Sequence, residues 1–107
     1  MSKIIVTNLP AVPGMNIVEH YGIVCGSTVR GKNVFRDIAA SLKNVVGGEL
    51  KGYTELMIEA RDLATSRMLQ QATDLGANAV INVRYSTSNI AEGAAEIYVY
   101  GTAVLVS

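Results

Sequence analysis

The sequence predicts an α+β domain, a curled antiparallel sheet packed on one long helix, with the element order β-β-α-α-β-β. Three observations carry this prediction. Runs rich in β-branched residues occupy both ends of the chain, at Ile17 to Val29, Ala79 to Thr87 and Glu96 to Val106. Two stripes of helical period fill the middle. No β-α-β-α alternation is present, which argues against a doubly wound parallel sheet.

Taken in order, Lys3 to Thr7 is a short β-branched run that ends at Asn8-Leu9-Pro10 and Pro13-Gly14, residues of loop and turn. The strand from Ile17 follows, interrupted by Gly22 and Gly26. At Gly26 either a helix backbone packs close or the strand bulges. Val34, Phe35, Ile38, Ala39, Leu42, Val45 and Val46 then mark a first helix, with Asn33 as N-cap and Gly47-Gly48 as its stop. Tyr53, Leu56, Met57, Ala60, Leu63, Ala64, Met68, Ala72 and Leu75 trace one face of a second, longer helix that Gly76 closes. In the next strand Ala79, Ile81, Val83, Tyr85 and Thr87 are expected on one face, alternating with Val80, Asn82, Arg84 and Ser86. A polar loop through Ser88, Asn89 and Gly93 leads to the last strand and completes an antiparallel hairpin.

The chain of 107 residues makes one domain spanning residues 1–107 and can bury one modest core. Nine Lys plus Arg balance nine Asp plus Glu, so no global field draws in nucleic acid or an anionic membrane. Only 17% of residues are charged, below the roughly 25% of an ordinary domain, and mean hydropathy is +0.29. Part of the surface is therefore expected to meet another subunit. No apolar run reaches the length of a membrane span or of a secretory signal, and the lone Cys25 can form no internal disulfide, so a cytoplasmic protein is expected.

Few residues suggest chemistry. Cys25 is a soft metal ligand and His20 is the one imidazole, but their separation of five puts them on opposite strand faces unless a bulge intervenes. A site for a transition metal ion would then draw ligands from several copies around a symmetry axis. Arg30, Lys32 and Arg36, with Asn33 at the helix start, form a candidate anion site, since exposed N–H groups and the positive helix end favour a carboxylate or phosphate. The simpler reading pairs Arg36 with Asp37 across an interface. Tyr98 and Tyr100 share a face of the last strand, as an aromatic ladder at a subunit interface or as a platform for a flavin-like ring. Gly47 to Gly52 follows a helix and lacks the ending of a phosphate-binding loop. No serine sits in a nucleophile elbow and the histidine has no evident triad, so the reading leans away from an enzyme. Asn78, in a tight helix-to-strand turn, is given a structural role.

A set of these residues resembles a known family. Gly26-Ser27-Thr28-Val29, the segment Arg30 to Asp37, Val46-Gly47-Gly48, Tyr53, Leu75 to Ile81 and Gly101-Thr102-Ala103-Val104 stand in the order and spacing of the YbjQ family. The resemblance implies a dodecin-like subunit assembled into a homopentamer and carries a heavy-metal-binding label, with no reaction attached. The combined expectation is a ring-forming protein that binds a metal ion or small anion at subunit junctions. The rival expectation is a flavin-like cofactor carrier, or an enzyme.

Overall fold

A computed structural model describes residues 3–30, 51–91 and 94–107. They form strands β1 (Ile5–Val6) and β2 (Ile17–Arg30), helix α1 (Lys51–Leu75), and strands β3 (Ala79–Ala91) and β4 (Ala94–Val106). The α+β class holds, but the sheet is mixed rather than antiparallel throughout. Its order is β1-β3-β4-β2, and β1 runs parallel to β3. The cause is local: Ile5 N–H donates to Asn78 O (3.1 Å) and Thr7 N–H to Val80 O (3.0 Å), docking a two-residue strand beside the start of β3. The helix expected over Val34 to Val46 lies outside the described residues, among which the order is β-β-α-β-β.

Helix α1 buries Ala60, Ala64, Met68 and Ala72 completely, a single row at spacing four. Three of the four are alanine, so the helix backbone can come very near its partner strand. The contact falls on β2 at Gly26. A Cβ there would land on the carbonyl oxygen of Ala64 and 2.6 Å from the Met68 nitrogen. Of the two readings of Gly26, close helix approach is the one realised. The helix ends at Gly76, whose φ of +91° only glycine adopts without strain. Ala77 N–H donates to Ala72 O (3.1 Å) and Gly76 N–H to Thr73 O (3.0 Å), the paired bonds of a Schellman cap. Asn78 then clamps the start of β3 to the end of β4, its Nδ2 donating to Val106 O (2.9 Å) and its Oδ1 accepting from Val106 N–H (2.8 Å).

The hairpin departs from the expected pattern twice. Strand β3 runs on through Ser88 and Asn89 to Ala91 and β4 begins at Ala94, so Ser88 and Asn89 are strand, while Gly93 of the expected loop lies outside the described residues. Cross-strand pairs such as Ser88 with Glu96 and Asn89 with Ala95 hold it there; polarity marks a solvated strand as readily as a loop. The expected alternation of β3 also breaks at its middle. The register passes from Ile81 opposite Thr102 to Arg84 opposite Tyr100, so Asn82 and Val83 together face Gly101, and Asn82 takes φ +54°. Val80 and Val83 then both join the core beneath the helix, while Ala79 and Ile81 join a second cluster on the other face with Val12, Val104 and Val106. A Cβ on Gly101 would stand 2.7 Å from Val80 Cγ1 and 2.9 Å from Ile81 O, so the bulge needs glycine opposite it.

Two substitutions test these contacts. Gly26→Ala should cost about 3 kcal/mol, the upper end for overpacking, because the obstacle is helix backbone rather than a movable side chain. Asn78→Ala should cost about 2 kcal/mol by leaving both polar groups of Val106 without their partner. Urea unfolding monitored by circular dichroism measures both, and midpoints equal to wild type would contradict them.

Candidate functional site

Among the described residues, the sheet face turned away from α1 is covered at one end only. There the segment before β2, through Val12 and Met15, packs on Ala79, Ile81, Val104 and Val106. Beyond that cover, the strand registers bring Ile23, Cys25, Ser27 and Val29 of β2 beside Thr102, Tyr100, Tyr98 and Glu96 of β4. Ile23 is 79% exposed and Val29 52%, and Tyr100 is exposed as well. Cys25 is half-buried among them. It stands directly across from Tyr100 and diagonally from Tyr98, whose rings are 5.6 Å apart and tilted by 33°.

Strand β2 is also a sheet edge, and the helix caps it with side chains. Cys25 N–H donates to Gln71 Oε1 (2.9 Å), and Arg67 Nη1 donates to Ser27 O (2.6 Å). These bonds fix the backbone on both sides of the thiol without engaging the thiol itself. The Cys25 side chain instead meets the Tyr98 hydroxyl. That hydrogen bond is the largest cause raising the Tyr98 phenol above its ordinary value of 10, followed by burial and by the charges of Cys25, Glu96 and Tyr100. Tyr21 is raised too, by burial and then by Glu19. The cluster therefore offers one thiol, two phenols and an apolar rim.

The expected site residues are only partly brought together. A bulge does intervene between His20 and Gly22, so His20, paired with Val104, lies on the same face as Cys25, paired with Tyr100. Four positions of β4 separate them, about 13 Å of strand, too far for one ion to bridge within a chain. His20 is exposed. Among the described residues no three His, Cys, Asp or Glu converge on a point that could hold a metal. The backbone of Arg30 ends β2, and Lys32, Asn33, Arg36 and Asp37 lie outside the described residues. No described helix is long and apolar enough to cross a membrane. Gln71 and Arg67 escaped the sequence reading, since bonds to a strand 40 or more residues away leave no local pattern.

The hydrogen bond to Cys25 makes a checkable prediction. Replacing Cys25 by alanine should lower the Tyr98 phenol toward its ordinary value, seen as earlier phenolate absorbance in an alkaline titration. Because the folded state holds these phenolic protons more tightly, their contribution to stability is complete below pH 10 and is lost as pH rises through the raised values. Wild type should thus lose stability above pH 10 more steeply than Cys25→Ala, and superimposable pH profiles would contradict the assignment.

Comparison with known proteins now places the chain. Residues 4–107 match the YbjQ family model, described as "Putative heavy-metal-binding". A UPF0145 protein of Hahella chejuensis is 61% identical over 102 residues, covering 95% of this chain and 98% of its own. A UPF0145 protein of Thermus thermophilus is 53% identical over 102 residues, 95% of this chain and 90% of its own. Another from Pyrococcus furiosus is 51% identical over 106 residues, 99% of this chain and 93% of its own. Among solved structures, a DUF74-family protein of unknown function from Pediococcus pentosaceus shares the fold, with a TM-score of 0.67 at 17% identity over 97% of this chain and 98% of that one. With the model matching nearly its whole length and relatives sharing more than half their residues, the chain belongs to the YbjQ family of UPF0145 proteins.

Proposed function

We propose that the chain is a non-enzymatic subunit of a cytoplasmic ring, a homopentamer of dodecin-like protomers, that holds a soft transition-metal ion or a small anion at its subunit junctions. The observation that carries this reading is the open sheet face, where Ile23, Val29 and Tyr100 expose apolar surface around a half-buried thiol. Exposed apolar groups so grouped favour burial against another surface. Helix α1 exposes Ile58 and Leu63, a different apolar surface. A sheet face on one copy meeting a helix on the next is a head-to-tail contact, which closes into a ring when the rotation between copies divides a full turn and otherwise runs on as a filament. The count of five rests on the family resemblance.

Within this ring the metal reading uses Cys25, the one thiol of each chain, with further ligands from neighbouring copies, His20 among them. The family description supports a metal as the guest. An anion is the other guest considered, because Arg30, Lys32 and Arg36 follow one another from the end of β2. A flavin-like planar cofactor is a second reading, favoured by the Tyr98–Tyr100 pair.

Native mass spectrometry tests the ring and its guest together. Five copies of 11.4 kDa should appear at about 57 kDa. Ile23→Asp should dissociate the assembly while leaving the protomer folded, since the side chain is 79% exposed. A stable monomer at micromolar concentration would overturn the ring. Zinc or copper(I) should bind wild type and fail to bind Cys25→Ser, whereas equal affinity would exclude the thiol. A visible absorption spectrum of freshly purified protein separates bound flavin, which is yellow, from a closed-shell metal.

A further inference from the structure

A cavity of about 340 Å³ opens where β1 leaves the edge of β3, lined by Val6, Thr7, Asn8, Val83, Arg84 and Tyr85. It lies within one chain and does not depend on the ring. Its volume falls in the range of about 300–1,000 Å³ typical of small-molecule sites. We propose that it binds a small organic oxyanion, a carboxylate or phosphate monoester with an aromatic or branched apolar body, with the Arg84 guanidinium as its anchor.

Arg84 is held in place by the backbone. Its Nη1 donates to the carbonyl oxygens of Asn8 and Val83, each at 2.9 Å, so two neutral acceptors pin one end of the guanidinium at the cavity. Among the described residues no carboxylate pairs with it, and both bonds use Nη1, so Nε and Nη2 form the other planar fork of the guanidinium. That fork matches a carboxylate or phosphate in geometry and sign, and a prepositioned arginine loses little freedom on binding. The rest of the lining is uncharged. The cavity sits at the open edge of β3 and so meets residues of both faces: Val6 and Val83 supply aliphatic carbon, and Tyr85 borders it from the helix side, where its hydroxyl shares a 2.9 Å hydrogen bond with Thr65 Oγ1. One fixed cation beside a lining that mixes Thr7 and Asn8 with aliphatic carbon selects a ligand with one anionic group and a small body that is apolar on the side facing Val6 and Val83.

The bulge at Asn82 explains why the cavity exists. Asn82 N–H donates to Leu9 O (2.9 Å) and Val83 N–H to Thr7 O (3.1 Å), so two successive β3 amides turn toward the segment after β1. Leu9 N–H also donates to Thr7 Oγ1 (3.1 Å), which holds the bend at Asn8 and Leu9 that ends the parallel pairing with β3. The walls are thus held by backbone bonds and exist before any ligand arrives.

Fluorine NMR of fluorobenzoate and fluorophenyl phosphate titrated into the protein tests the proposal, with fluorobenzamide as the uncharged control. Saturable line broadening is expected for at least one of the two anions, and the tighter of them identifies carboxylate or phosphate as the preferred group. The amide should bind at least about tenfold more weakly. Arg84→Gln should weaken the anion by a similar factor, and Arg84→Lys, which keeps the charge but loses the fork, should fall between. No saturable signal from either anion, equal binding of the amide, or unchanged affinity in Arg84→Gln would each overturn the assignment. If Arg84→Gln fails to fold, the comparison of anion with amide on wild type decides alone.

Discussion

The contact on which the described structure depends is the seating of the α1 backbone on Gly26 of β2. Ala60, Ala64 and Ala72 flatten one side of the helix, and glycine removes the side chain that would hold the strand away. Close approach has two consequences. It lets Val24, Val99 and Ala103 reach the helix and form the larger core. It also brings Arg67 and Gln71 over the outer edge of β2, where they satisfy backbone groups that a sheet edge otherwise leaves to water or to another chain.

With α1 committed to one face and one edge, the other face must be covered by whatever chain remains. The segment before β2 does so at the end near Ala79 and Val106, where the Asn78 clamp and the paired backbone of Asn16 and Ser107 hold the ends of the strands together. It does not extend to Cys25, Tyr98 and Tyr100. The chemistry of the candidate face follows from this partial cover. A thiol lies half-buried against a phenol whose proton it helps retain, beside the exposed apolar residues Ile23 and Val29.

A single irregularity distributes the β3 side chains. The extra residue at Asn82 reverses which positions face the helix, so Val83 and Tyr85 turn toward α1 while Arg84 turns to the opposite face and reaches Asn8. Gly101 is its necessary complement on β4, since a side chain there would collide with Val80 and with the backbone of Ile81. A regular β3 would have sent Arg84 toward the apolar core, where an unpaired guanidinium is costly.

Much of this was legible in the residues themselves. The β-branching of β2 and β4, the helical spacing on α1 and its Gly76 cap are local signals, because strand propensity, helix periodicity and glycine conformation are local properties. The family, too, was written in the order of short motifs such as Leu75 to Ile81. Tertiary structure alone decided the parallel docking of β1 on β3, the bulge that splits β3 between two faces, and the joining of Cys25 to Tyr98 and of Arg84 to Asn8. Each of these joins residues far apart in the chain or depends on the space a glycine leaves on another strand. Composition and spacing fix which face of an element is apolar, whereas the partner that face meets is settled only when the elements pack.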